Sequence, residues 1–293
     1  MKLGAFNVNE PLPELNEPHA LAVLQPWIDA GSVGTLVLSW LETHFKSQEL
    51  AMLSKPGDFF DFTRYRPTSY FVEGRRQMTI PNTYVTFGKQ KAGNDFLFIH
   101  LLEPHAHSEV YVESVLRLLA KFGVKRYCQV GSFYDYVPHT RPLLVTGGAV
   151  GEKAEQQLDK LETEPSDYQG PSTITSLISQ RAPDMGIETM SLMVHLPQYA
   201  QLDEDYIGTV RIMEMLGSLY ALPVDKTYIE KAEQQLEQIN LALEKNPELK
   251  VIVKQLETNY EARATKKEDE KSPRLSPEVE KFLIEMNKRF KES

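Results

Sequence analysis

Between Asp95 and Gly131 the chain spells an apolar run, a helical stripe and a second apolar run, and this succession narrows the possible folds more than any other stretch. The first run is "DFLFIHL", Asp95 to Leu101, and the last is "KRYCQVG", Lys125 to Gly131. Between them "SEVYVESVLRLLAKF", Ser108 to Phe122, sets Val112, Val115, Leu116 and Leu119 at helical spacing, with Ser108 as the expected N-cap and Gly123 as the stop. Strand, helix and strand in that order make a βαβ unit, which favours a parallel sheet with helices on both faces. Buried-strand patterns at Leu21–Gln25, Thr83–Gly88, Pro142–Thr146 and Glu188–His195 extend the sheet. Ala51 to Ile80 differs. Its short aromatic segments, broken by Pro56, Gly57, Pro67 and Gly74, read as β-hairpin or edge-strand material, so a mixed sheet is expected.

The character changes after Pro223. Ile229, Ala232, Leu236, Ile239 and Leu243 step by three and four, "EKNPEL" interrupts, and Leu249, Ile252, Leu256 and Tyr260 resume, which predicts a helical hairpin. The organisation expected is an α/β domain over 1–225, the hairpin over 226–261, a mobile linker over 262–275 and a terminal helix over 276–293. The hairpin's apolar stripe either covers the core or meets a neighbouring subunit.

Composition excludes several classes of function. A chain of 293 residues that is 41% hydrophobic and 25% charged is an ordinary globular protein. It holds no apolar run of about 18 residues, and its first residues lack the basic and apolar regions of a signal peptide, so a cytoplasmic location with no membrane contact is expected. The net charge of −9 argues against a nucleic-acid partner. That excess sits before residue 226, where 18 basic face 27 acidic side chains, while 14 of each follow. The single cysteine, Cys128, lies in an apolar run and reads as a small buried hydrophobe.

Four segments hold candidate chemistry. In Leu21–Phe45 a strand meets Gly31 and Gly34 just before a helix; either backbone N–H groups cradle an anion there, or Asp29 or Ser32 caps the helix and Gly34 permits close packing, or the segment contacts a partner. The segment fits neither the dinucleotide nor the P-loop pattern, and no cofactor is expected. In "GSFYDYVPHTRPLLVTGGA", Asp135, His139, Thr140 and Arg141 supply an acid, an imidazole, a hydroxyl and a forked cation just after a strand; the set suits an anion, or else a polar loop with Arg141 paired to Asp135. "SDYQGPSTITSLI" offers Ser172 and Thr173 as helix caps without a nucleophile elbow. "HLLEPHAH" brings His100, Glu103, His105 and His107 close in sequence, but Pro104 puts the last two in a loop and no metal is expected.

Taken together and in order, "WIDAG" at Trp27 to Gly31, "DFTRYRPT" at Asp61 to Thr68, "VPHTRP" at Val137 to Pro142 with Thr146 and Gly147, and "SDYQGPSTIT" at Ser166 to Thr175 resemble the bacterial branch of the PAC-two (proteasome assembly chaperone) family. The resemblance covers about Leu15 to Leu222 and extends into the helical tail. It implies a three-layer α/β/α fold with a mixed sheet, similar to nucleoside phosphorylases and related hydrolases, plus a C-terminal helical extension. It further implies a homo-oligomer, with a trimer as one arrangement, and a possible protein partner; it supplies no activity. Archaeal and eukaryotic relatives look as if they dock through a terminal hydrophobic-Tyr-any tripeptide, whereas this sequence reads "KRFKES", so docking by that route is not expected.

Two readings follow. In one, the chain is a non-enzymatic assembly or scaffold protein whose segments around Trp27, Arg66, His139 and Arg141 organise loops at one end of the sheet. In the other it is a hydrolase or phosphorylase-like enzyme acting on an anionic substrate, with His139 as acid or base, Arg141 as anion clamp, Asp29 and Arg66 in the binding site, and Ser172 or Thr173 as a supporting donor.

Overall fold

A computed structural model describes residues 1–265. Its strands are β1 (Lys2–Leu3), β2 (Phe6–Val8), β3 (His19–Gln25), β4 (Gln48–Leu53), β5 (Thr68–Val72), β6 (Arg75–Thr79), β7 (Tyr84–Gly88), β8 (Phe96–Leu102), β9 (Arg126–Asp135), β10 (Val145–Val150), β11 (Glu164–Pro165) and β12 (Glu188–Pro197). The helices are α1 (Val33–Phe45), α2 (Ser108–Lys121), α3 (Glu152–Leu158), α4 (Ile174–Arg181), α5 (Tyr206–Tyr220), α6 (Lys226–Glu244) and α7 (Pro247–Thr265). Ten strands form one sheet in the order β1-β2-β4-β7-β8-β3-β9-β12-β10-β11, while β5 and β6 pair only with each other. The large sheet is mixed: β3 runs parallel to β8 and β9, whereas β7 is antiparallel to both β8 and β4. The βαβ reading holds in this form, with β3 inserted between the two strands that α2 connects.

The chain divides into two compact units. The first comprises residues 1–29, 34–131 and 147–192, and the second residues 30–33, 132–146 and the described residues from 193 onward. In the first unit alternate residues of each strand serve opposite layers, as the period of two requires. Ala20, Ala22 and Leu24 of β3 and Leu97, Ile99 and Leu101 of β8 enter a core with Val112, Val115 and Leu119 of α2 and Ile174 and Ile178 of α4. On the other face Phe96 and Phe98 meet the Phe45 ring of α1, and Val23 lies against Gly34 at the start of that helix. Helices therefore cover both faces, giving the three-layer α/β/α arrangement.

In the second unit α5 packs on α6, and α6 on α7. Leu249, Ile252, Val253 and Leu256 of α7 form a core with Tyr199, against which Leu243 of α6 rests. No residue of α6 is fully buried. Side chains cap these helices: Asp205 accepts from Gly208 N, Asp225 from Thr227 N, and Asn246 from Glu248 N and Leu249 N.

Several boundaries differ from the sequence reading. The strand expected at Pro142–Thr146 starts only at Val145, because the Pro142 carbonyl accepts from Tyr260 Oη and that of Leu143 from Arg211 Nε, leaving neither for a ladder. Ser108 is the first residue of α2; the cap position belongs to His107, in the left-handed region at φ 54°. Ala51–Ile80 contains the expected hairpin as a separate ribbon, together with the end of β4 in the main sheet. α7 continues to Thr265, past the expected linker start; the rest of that linker and the terminal helix and "KRFKES" lie outside the described residues. Within the described residues no helix is long and apolar enough to cross a membrane.

Candidate functional site

The six candidate residues fall in different units: Asp29, Arg66, Ser172 and Thr173 in the first, His139 and Arg141 in the second. In the first unit Asp29 follows the C-terminal end of β3, and one of its carboxylate oxygens accepts from Gly34 N at 2.7 Å and from Thr35 N at 3.2 Å. The Thr35 hydroxyl donates to the other oxygen and itself accepts from Gln25 Nε2 at 2.6 Å. Asp29 thus occupies the backbone donors that an anion cradle would need. Burial lifts its carboxyl pKa above the usual range, although these hydrogen bonds oppose the rise.

Glu103 follows the same end of the neighbouring strand, since β3 and β8 are parallel with Gln25 opposite Leu102. Its two oxygens accept from Ile174 N at 3.0 and 3.2 Å, and burial raises its pKa. Glu103 therefore caps α4 in place of the side chains expected to do so. Thr173 stands at the N-cap position without a side-chain cap bond; its hydroxyl meets that of Thr175 at 2.7 Å, and Ser172 meets Ser176. The Tyr65 ring lies edge-on to His105, with centroids 4.9 Å apart, and Trp27 is 67% exposed. Arg66 is exposed.

The histidine-rich segment is dispersed. His100 is buried with Nε2 3.2 Å from Glu42, His105 Nδ1 accepts from Asp61 N, and His107 precedes α2. Among the described residues no group of three His, Cys, Asp or Glu is placed to hold a metal. Cys128 is fully buried, and its thiol is pushed up to about 12 by burial.

In the second unit the loop Val137–Pro142 is bound to both helices of the hairpin. His139 is buried; its Nδ1 lies 2.6 Å from Tyr199 Oη and its Nε2 3.0 Å from Asn240 Oδ1 of α6. Burial lowers its pKa below the usual histidine value, so the imidazole is neutral at pH 7. The cavity beside it, bounded by Leu143, Asp205 and Ile239, encloses about 10 Å³, no more than one water requires. Thr140 Oγ1 donates to Glu257, and Arg141 bridges Glu257 at 3.1 Å and Glu261 at 2.6 Å on α7. The pairing of Arg141 with Asp135 is replaced: Asp135 instead meets His195 Nδ1 at 2.8 Å and Arg263 at 4.0 Å. Burial works against the Asp135 carboxylate, but hydrogen bonds from His195 and Tyr136 N hold its pKa below the ordinary range.

Sequence reasoning missed the role of Glu103, named there only as a possible metal ligand, and the anchoring by Tyr199, Asn240, Glu257 and Glu261. The signal for Glu103 was its place directly after an apolar strand.

No curated protein matches the chain. Solved structures do. A Corynebacterium glutamicum protein of unknown function has a TM-score of 0.79 at 21% identity, covering 89% of this chain and 98% of its own. A PAC2 family protein from Streptomyces avermitilis gives 0.73 at 22%, covering 80% and 99%. A Mycobacterium tuberculosis proteasome-assembly chaperone homologue gives 0.71 at 19%, again covering 80% and 99%. At these identities the likeness concerns the fold. The PAC2 family model matches residues 23–244, spanning "WIDAG", "VPHTRP" and "SDYQGPSTIT" in one alignment, and the chain belongs to the PAC2 family.

Proposed function

We propose that the chain is a non-enzymatic, assembly-chaperone-like or scaffold protein that works in the cytoplasm as a homo-oligomer. The observation that carries this reading is the use of polar groups in the loop Val137–Pro142. Both ring nitrogens of His139 and the guanidinium of Arg141 bond to the protein's own Tyr199, Asn240, Glu257 and Glu261. An imidazole with about 10 Å³ beside it has no room for a substrate, so His139 and Arg141 hold the loop on the helices.

The β5–β6 ribbon supplies a surface for self-association. All ten of its strand residues are exposed, and Ser69 pairs with Met78 and Phe71 with Arg76, which puts Phe71, Met78 and Arg76 on one face. Phe71 is 67% and Met78 61% exposed. A two-stranded ribbon is marginal in water by itself, and a second copy seated on this face would stabilise it. The fold likeness to a proteasome-assembly chaperone homologue agrees with a protein partner. Light scattering on the eluted protein tests the reading: a mass that is a multiple of 33.4 kDa is expected, falling to 33.4 kDa in Phe71→Glu/Met78→Glu. A wild-type monomer sinks it.

Asp29 and Glu103, two carboxyls with raised pKa values after the same end of adjacent parallel strands, favour a second reading as a hydrolase or phosphorylase-like enzyme. A ligand at 100 times its dissociation constant stabilises the native state by about 2.7 kcal/mol. If nucleosides and carboxylate metabolites leave the melting temperature unmoved, this second reading falls and the scaffold reading stands.

A further inference from the structure

At the opposite ends of the same strands, within the first unit, lies a cavity of about 670 Å³. His19, Arg126 and Glu188, the first residues of β3, β9 and β12, contribute to its wall. His19 and Arg126 are register partners on adjacent parallel strands, and Glu188 N donates to the carbonyl of Lys125. Arg126 is 1% exposed. Its two terminal nitrogens donate to Gln157 Oε1 and to Glu188 Oε2 at 2.7 Å, but its Nε is buried and meets no acceptor among the described residues. Arg126 therefore lends the cavity positive charge from within its wall, while its Nε is enclosed by protein.

The rim adds Lys125, Lys153 and Lys160, all exposed. Four cations therefore face three carboxylates, those of Glu17, Glu152 and Glu188, and Glu188 is already engaged by Arg126. The local balance is positive in a chain whose net charge is −9. Burial and the neighbouring Arg126 lower the His19 pKa to about 4, so its ring adds no charge at neutral pH. Among the described residues no Phe, Tyr or Trp lines the cavity, so they offer no platform on which a nucleobase would stack. Asn94 and Gln156, together with Glu17 and Glu152, instead offer hydrogen-bond partners for hydroxyl groups.

We infer that this cavity binds a small sugar phosphate. The phosphate takes the ammonium groups of Lys125, Lys153 and Lys160, and the sugar hydroxyls face the amides and carboxylates. The volume lies within the range of small-molecule sites. The assignment does not depend on the scaffold reading, and it places the ligand away from Asp29 and Glu103, at the strand ends where open α/β sheets do not ordinarily gather ligands.

Calorimetric titration of the full chain tests it with three probes: ribose 5-phosphate, ribose and inorganic phosphate. Saturable binding of ribose 5-phosphate is expected, with inorganic phosphate weaker by about tenfold or more and ribose silent. Lys153→Gln/Lys160→Gln, both at exposed positions, should weaken ribose 5-phosphate by about tenfold or more while leaving the melting temperature of the free protein unchanged. Absence of saturable heat with ribose 5-phosphate up to about 10 mM, or an unaltered affinity in the double variant, overturns the site. Equal affinity for inorganic phosphate and ribose 5-phosphate overturns the sugar assignment.

Discussion

Replacing Gly34 by Ala tests the packing of α1 on the sheet, because two physical effects give it opposite signs. Helix propensity and the smaller entropy of the unfolded chain favour Ala by about 0.4–1 kcal/mol. Against this, a Cβ at position 34 would lie 2.6 Å from Val23 Cγ2, 3.1 Å from Asp29 Oδ1 and 3.2 Å from the Val130 carbonyl oxygen. Val23 is fully buried in the middle of β3, and its branched side chain is stiff at χ1. Restoring an ordinary contact of 3.4 Å would move the start of α1 by about 0.8 Å. A displacement of that size directed away from Asp29 would stretch the Asp29–Gly34 bond from 2.7 Å to about 3.5 Å, the limit of hydrogen-bonding range. Overpacking costs about 1–3 kcal/mol and loss of a cap about 1 kcal/mol, so the net expectation is destabilisation by about 2 kcal/mol. Urea unfolding would show a lower midpoint at unchanged slope. Gly57→Ala is the control, since its added Cβ meets Phe62 at an ordinary 3.4 Å, and its effect should stay within about 0.5 kcal/mol. A Gly34→Ala protein as stable as wild type, or more so, would refute the packing argument.

Gly31→Val should destabilise by more than about 2 kcal/mol, because φ is +56° and a Cβ would meet Asp205 Cβ at 2.6 Å; a denaturation midpoint equal to wild type contradicts this. Arg141→Ala should lower the melting temperature with no ligand present, and its effect should shrink in a Glu257→Gln/Glu261→Gln background; additive losses would show that the ion pairs contribute nothing. His19 has a folded pKa of about 4 against an unfolded 6.5, so the unfolded state binds more protons between these values. Its contribution is complete above pH 6.5 and is lost as pH falls towards 4, by up to about 3 kcal/mol. Comparing His19→Gln with wild type from pH 7 to 4 isolates it from the carboxyls that titrate in the same window, and parallel stability curves would exclude the effect.

What the sequence made legible was local or periodic. Asp29 and Gly34 announce a capped, closely packed helix start because cap and glycine lie five residues apart, and the structure satisfies both. The stripes of α2, α6 and α7 repeat with the helical period, so their existence was readable while their ends shifted by a residue or more. Thr173 stood at the cap position, yet the capping oxygens come from Glu103, 71 residues earlier. The acceptors for Arg141 lie 116 and 120 residues later, and no local pattern points to them. The wall of His19, Arg126 and Glu188 was equally hidden, since only the sheet order brings those strand starts side by side.

The reach of those loop contacts bears on how the chain acquires its structure during synthesis. His139 waits for Asn240, 101 residues downstream, and Arg141 for Glu261. Until the ribosome has released that sequence, the loop carries a cation and an imidazole without their native acceptors, so it stays hydrated while local strand–helix units close ahead of it. The hairpin then arrives as the piece that dehydrates the loop. The ordering of Val137–Pro142 therefore belongs to the last steps of folding, and a nascent chain stalled before Glu257 should expose this loop to protease while the sheet strands around Cys128 are already protected.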